Sequence, residues 1–141
     1  KVLIKSENVD EYLIWDASHD GYTDNYKKII KRKLFISKKN AEILGEDTII
    51  NHNINTKKVL YNIRFHLTPI CSCLITNDKK SVLIKTALDQ SLVFKCDNKL
   101  TLEDSICIND GKRIIKTKQI VISGYASSSK KIEKWSISKI Q

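Results

Sequence analysis

The stretch "LTLEDSICINDGKRIIKTKQIVIS" (residues 100–123) sets the reading of the chain. Two runs rich in β-branched residues flank Asn109-Asp110-Gly111-Lys112. Asp-Gly is a preferred hairpin dipeptide because both central positions of a tight primed turn need positive φ. The stretch therefore reads as two antiparallel strands joined by a short turn. Similar runs recur along the chain: "EYLIWDAS" (11–18), "KKIIKRKLFIS" (27–37), "KVLYNIRFHL" (58–67), "CSCLIT" (71–76), "SVLIKTA" (81–87), "SLVFKC" (91–96) and "KIEKWSIS" (131–138). All have strand length and β-branched or aromatic composition.

Turn chemistries separate them: "TNDKK" (76–80), "LDQS" (88–91), "CDNK" (96–99) and "ASSSKK" (126–131). Asp, Asn, Gly and Ser concentrate in such segments because they tolerate left-handed backbone or bond to it locally. No segment carries a sustained apolar repeat at helical spacing. "SKKNAEILGED" (37–47) leaves two readings open, one helical turn or a strand bulged at Gly45. The sum is an all-β protein, an antiparallel β-sandwich of nine to eleven strands. Its length of 141 residues suits one domain, 1–141, with a core of its own. Trp15, Phe35, Tyr61, Phe65, Phe94 and Trp135 read as core aromatics.

Charge and cysteines narrow the chemistry. The formal charge is +9, but only Arg32, Arg64 and Arg113 among the 25 basic residues are arginines. Bidentate recognition of phosphate and bases favours Arg, and no string of paired aromatics suggests base stacking. Nucleic acid is therefore not expected as a partner. A lysine field suits anionic glycans, which need positive charge rather than guanidinium geometry. No apolar run approaches the roughly 18 residues of a membrane span, so insertion is not expected either. Cys71, Cys73, Cys96 and Cys107 lack the paired spacing of a zinc site and read as free thiols. The chain contains no Met and opens on Lys within a strand-like run, which reads as a domain of a longer protein.

One segment is unusually dense in chemistry, "DASHDGYTDNY" (16–26). Ser18, His19 and Asp20 are not a hydrolytic triad, since neighbours along a strand point to opposite faces. His19 has no second imidazole at ligand spacing. On local chemistry the segment is a polar strand end followed by a turn at Gly21.

The same string carries a resemblance. Ser18-His19-Asp20-Gly21-Tyr22 is followed in order by Lys31-Arg32-Lys33-Leu34, Gly45-Glu46-Asp47 and Arg64-Phe65-His66-Leu67-Thr68-Pro69. Ile122-Ser123-Gly124 and Trp135 close the series. These landmarks resemble the carboxy-terminal part of heparinase II/III-like proteins, polysaccharide lyases and their bacterial relatives. Two positions depart from that pattern: Ile30 and Thr68 stand where the family often has His.

The resemblance implies a β-sandwich excised from a larger protein with an upstream α-helical toroid and a saccharide cleft. It implies β-elimination at uronic acids of acidic polysaccharides. That reaction must neutralise a carboxylate, remove the C5 proton and protonate the leaving O4. The main catalytic residues, and any zinc, are expected on the upstream part, because no H-x-H-x-D string occurs here. His19, Asp20, Tyr22, Arg64 and His66 are the substrate-cleft candidates. Asp20 would orient His19, and Arg64 would pair with a uronate. Alternatively Arg64 and His66 lie on a solvent face or satisfy a buried carboxylate such as Asp47. His52 reads as an exposed loop residue. Periplasm or cell envelope is the compartment the resemblance implies. A non-catalytic β-sandwich that binds acidic polysaccharide or supports its parent is the second expectation.

Overall fold

Backbone pairing carries the architecture, as the β-branched runs require. The computed structural model describes residues 1–54 and 57–140. Among them are eleven strands and one helical turn: β1 (Val2–Val9), β2 (Tyr12–Tyr22), α1 (Thr23–Tyr26), β3 (Lys28–Ser37), β4 (Glu42–Asn51) and β5 (Val59–His66). β6 (Ser72–Ile75), β7 (Ser81–Lys85), β8 (Ser91–Cys96), β9 (Leu100–Asn109), β10 (Arg113–Ala126) and β11 (Lys131–Lys139) complete the series. The protein is all-β with antiparallel sheets, as the strand periodicity predicts.

The chain divides into two compact units: Lys1–Tyr61 with Gly124–Ile137, and Asn62–Ser123 with Ser138–Gln141. In the first unit the strands run β1-β2-β3-β4-β11. β1, β2, β3 and β4 are consecutive antiparallel neighbours, with Val9 opposite Tyr12 across the first turn and Ile36 opposite Ile43 across the third. Asp10 takes a positive φ at the first of these turns. In the second unit the orders are β8-β7-β6 and β5-β10-β9.

The two units are held differently. The second has an apolar interior: Val82, Ile84, Phe94, Leu100, Ile120, Val121 and Ile122 are buried. On β7, Val82 and Ile84 point in while Leu83 and Lys85 point out, the alternation of a sheet with one wet face. Phe65 of β5 and Phe94 of β8 meet with centroids 4.8 Å apart, so the two sheets of this unit face each other. The first unit buries mostly polar groups. Lys28, Asp47, Thr48 and Glu133 are as enclosed as Ile49, Ala126 and Trp135, and buried polar groups persist only when bonded.

The turns follow their chemistry. Asp110 and Gly111 both take positive φ, 51° and 65°, as the Asp-Gly signal requires. In the 76–81 turn, Asp78 accepts hydrogen bonds from Thr76 Oγ1 at 2.6 Å and Lys80 N at 3.0 Å.

Three expectations need correction. The 37–47 segment is not helical: Asn40 N bonds Ser37 Oγ at 3.0 Å, and β4 then starts at Glu42. Nor is it bulged at Gly45, since β3 and β4 pair without a register shift. Trp15 is not core. It is 42% exposed, because β1 is exposed throughout and β3 buries only Lys28. Phe94 and Trp135 are buried, whereas Phe35, Tyr61 and Phe65 are half-buried.

Candidate functional site

β2 runs four residues beyond Ser18 because it has a partner on each side: His19 lies opposite Val2 of β1 and Ile30 of β3. The next β2–β3 pair is Tyr22 with Lys28. β2 thus advances three residues while β3 advances two, which is a β-bulge at Asp20-Gly21 rather than a turn. Strict alternation would put His19 and Tyr22 on opposite faces. The extra residue returns them to the same face, with ring centroids 5.4 Å apart and planes at 52°.

Gly21 completes the bulge. Its N–H donates to His19 Nδ1 at 3.3 Å, which leaves Nε2 to carry the proton of a neutral ring. A Cβ at Gly21 would itself sit 3.3 Å from Nδ1. Asp20 does not orient His19. Its carboxylate accepts a hydrogen bond from the α-amino group of Lys1, the first residue of the sequence, and that group holds it below the usual carboxylate range. Thr23 Oγ1 caps the Asp20 carbonyl at 2.8 Å.

Two groups beside this pair carried no sequence signal. Lys28, directly opposite Tyr22 and so on the same face, has its ammonium buried between Asn51 Oδ1 and the Ser127 carbonyl, the latter at 2.9 Å. Asn51 donates to the Ser128 carbonyl at 2.6 Å. Lys28 and Asn51 together fasten the segment before β11 to the sheet next to Tyr22. An isolated "KK" and a loop-edge Asn gave no reason to single them out. The bulge did have a signal, a glycine one residue past an alternating strand.

The middle landmarks converge on one ionic cluster. Arg32 of β3 grips Asp47 of β4 with Nε at 2.6 Å and a terminal nitrogen at 2.8 Å, and Trp135 Nε1 donates to Asp47 Oδ2 at 3.0 Å. The guanidinium also lies 5.5 Å from the Trp135 ring centroid. Gly45 is obligatory here, because any Cβ would overlap the indole. Gly124 is bare for a like reason, with the phenol of Tyr61 against it. That phenol donates to buried Glu133, which Lys131 approaches at 3.8 Å. These residues build the unit rather than line a site.

Arg64 and His66 lie on the outer face of β5 in the second unit, where exposed and half-buried residues alternate. Arg64 bonds Glu103 at 2.7 Å and His66 Nδ1 is hydrogen-bonded to Ser105 Oγ at 2.8 Å. Both are exposed, and Asp47 takes its charge partner from Arg32 rather than Arg64. His52 is exposed. All four cysteines are free thiols, and burial pushes that of Cys73 up. Among the described residues no three His, Cys, Asp or Glu side chains converge as a metal-holding group. No helix among the described residues is long and apolar enough to cross a membrane.

What the arrangement offers is an imidazole and a phenol on one face, with a fixed ammonium and amide behind them. The family model described as heparinase II/III-like, C-terminal matches residues 2–136. No curated protein matches the sequence. Among solved structures, the heparan sulfate lyase HepC from Pedobacter heparinus superposes with a TM-score of 0.84 at 12% identity, over 100% of this chain and 22% of that one. The heparinase III BT4657 gene product superposes with a TM-score of 0.81 at 9% identity, over 99% and 22%. The chain therefore spans about a fifth of the length of these proteins, and at such identities the likeness is one of fold.

Proposed function

We propose that this chain, which belongs to the heparinase II/III-like C-terminal family, acts as the β-domain of a lyase that cleaves acidic polysaccharide by β-elimination at a uronic acid. The observation that carries the proposal is the bulge-matched pair His19 and Tyr22, presented together on one face. The reaction needs groups that take and return protons at neighbouring sugar atoms, and an imidazole beside a phenol has that character. Both are at least partly exposed, so both can reach a saccharide.

In this reading the main acid–base residues reside on an upstream α-helical domain of the same protein, and His19 and Tyr22 form one edge of the cleft. Asp20 sets the local charge, and Arg64 with His66 offers a second polar contact for the glycan. The 141 residues work as one domain of that protein, in the periplasm or cell envelope. Zinc, where a parent carries it, would be held outside the described residues, which offer no ligand cluster. No step of this proposal passes through a metal.

The test is product formation. The 141-residue chain alone should release no unsaturated uronate from heparin-type, alginate-type or bacterial exopolysaccharide substrates. The chain joined to its upstream helical domain should release it, read by absorbance of the unsaturated product. Turnover by the 141 residues alone would overturn the division of labour proposed here.

The formal charge of +9, nearly all of it lysine, favours a second reading: a non-catalytic module that holds acidic polysaccharide or supports its parent. Its affinity would fall steeply with salt and survive loss of His19.

A further inference from the structure

Beyond the bulge, the chain makes a single helical turn that buries nothing: none of the four residues of α1 is enclosed, and no side chain caps its start. The turn ends on Lys27, a non-glycine residue at φ 54°, ψ 40°. Left-handed backbone at such a residue is unfavourable and persists only where the surroundings impose it. What this segment achieves is the placement of Tyr26. Its ring lies 6.0 Å from that of Tyr22 at an interplanar angle of 63°, continuing the row that starts at His19. Tyr22 and Tyr26 remain 48% and 46% exposed. Rings that pack edgewise on one another leave a face open, and an exposed aromatic face is matched by the C–H face of a pyranose. Their hydroxyls and the exposed Lys27 ammonium border the row with hydrogen-bonding and cationic groups.

We infer that Tyr26 and Tyr22 form a stacking subsite for one pyranose ring, contiguous with His19, and that Lys27 faces the anionic substituent of that sugar or its neighbour. The inference rests on the acidic-polysaccharide reading and adds a residue to it. Tyr26 sets how far along the glycan the chain makes contact, so affinity grows with oligosaccharide length until this subsite is filled.

The experiment titrates the 141-residue chain with uronate-containing oligosaccharides of graded length, prepared from heparin and from alginate, by calorimetry at low and high salt. Wild type, Tyr26→Ala, Tyr26→Phe and Lys27→Ala are compared, with a thermal melt of each. Tyr26→Ala should weaken the longer oligosaccharides by roughly three- to tenfold. The loss should be equal at both salt concentrations, because stacking is not screened. Tyr26→Phe should bind like wild type, and Lys27→Ala should flatten the salt dependence. The melts of all variants should coincide, since α1 buries no residue. Wild-type affinity within about twofold in Tyr26→Ala overturns the subsite and leaves the polysaccharide reading standing. Equal losses in Tyr26→Phe and Tyr26→Ala overturn stacking as the cause. No affinity of the wild-type chain for either series overturns the subsite, while the lyase reading stands or falls by product formation from the joined chain.

Discussion

His19 and Tyr22 share a face and meet at 5.4 Å although they are three positions apart, an odd spacing that a regular strand would split between its two faces. The single extra residue of the bulge is the cause. Deleting Asp20 removes that extra residue and leaves His19 and Tyr22 at i and i+2 of a regular strand, so the two rings should stay on one face and in contact. The check is the nuclear Overhauser effect between the two rings. Its loss in the deletion variant would mean that register against β3 is not what puts the two rings on one face. Gly21→Val is the milder variant, in which the added Cβ presses on His19 Nδ1 and should displace the ring without moving Tyr22 to the other face.

The same pair separates function from structure. His19→Ala and Tyr22→Phe, made in the chain joined to its upstream domain, should lower turnover while shifting the melting temperature little. Tyr22 is exposed and His19 half-buried, with one weak bond from Gly21. Were the segment structural, each loss would destabilise by roughly 1–3 kcal/mol and leave activity per folded molecule intact. Melts and turnover measured on the same preparations distinguish the outcomes.

The strand plan was legible because period-two patterning and turn residues are local. Val82, Ile84 and Phe94 are buried as their alternation requires, and the Asp110-Gly111 turn has the backbone its residues favour. What was not legible depends on register. Gly21 marks an irregularity, but which of His19, Asp20 and Tyr22 face together is set by the pairing with β3 and not by local preference. Likewise Arg32 rather than Arg64 belongs to Asp47, because β3 and not β5 pairs beside β4 in the first unit. Trp15 was misplaced for the reverse reason: an apolar residue in a strand is expected to be covered, and nothing in the sequence shows that the β1–β2–β3 region is left open.

The cluster around Asp47 gives a stability prediction. Asp47 is almost fully buried and carries three hydrogen bonds, while the side chain of Arg32 is 41% exposed. Removing one partner of a buried ion pair costs roughly 3–5 kcal/mol. The exposed guanidinium can recover water, so Asp47→Ala should cost less, about 2–3 kcal/mol. Arg32→Lys should not restore the loss of Arg32→Ala, because an ammonium cannot fork onto two oxygens and stack on Trp135. Urea unfolding followed by tryptophan fluorescence measures each. A loss of less than about 1 kcal/mol in Asp47→Ala would show that the cluster is not what holds this unit.

Acid should act on the 76–81 turn. The hydroxyl of Thr76, then the N–H of Lys80, holds the Asp78 carboxyl below the usual carboxylate range. A carboxylate depressed on folding stabilises above its unfolded pKa, and the contribution fades as pH falls through the folded one. Asp78→Asn should therefore lower stability near neutral pH, and the gap from wild type should begin to narrow near pH 3.8 and close as pH falls through the lower folded value. Asp20 and Asp104, also depressed, affect both proteins alike, so the difference isolates Asp78. Chemical denaturation midpoints from neutral pH down to well below pH 3.8 provide the comparison, and a gap independent of pH would remove the carboxylate from the account.

Lys28 offers the last test, because it joins the framework to the ring pair. Its ammonium is buried yet meets only neutral oxygens, of Asn51 and Ser127, so its cost of enclosure is offset by hydrogen bonds rather than by a counter-ion. Lys28→Met keeps the aliphatic stem and removes the donors. Asn51 then keeps its bond to Ser128 but loses the ammonium, and the 127–130 segment loses the bond from Lys28 to the Ser127 carbonyl. Stability should fall by about 1–3 kcal/mol, and amide exchange should rise in residues 127–130 before it rises in the β2–β3 pairing. Asn51→Ala should produce the same pattern. The double variant should cost less than the sum of the single ones, because both act on one hydrogen-bonded group. Additive losses would show that Lys28 and Asn51 stabilise the chain separately and do not hold that segment jointly beside Tyr22.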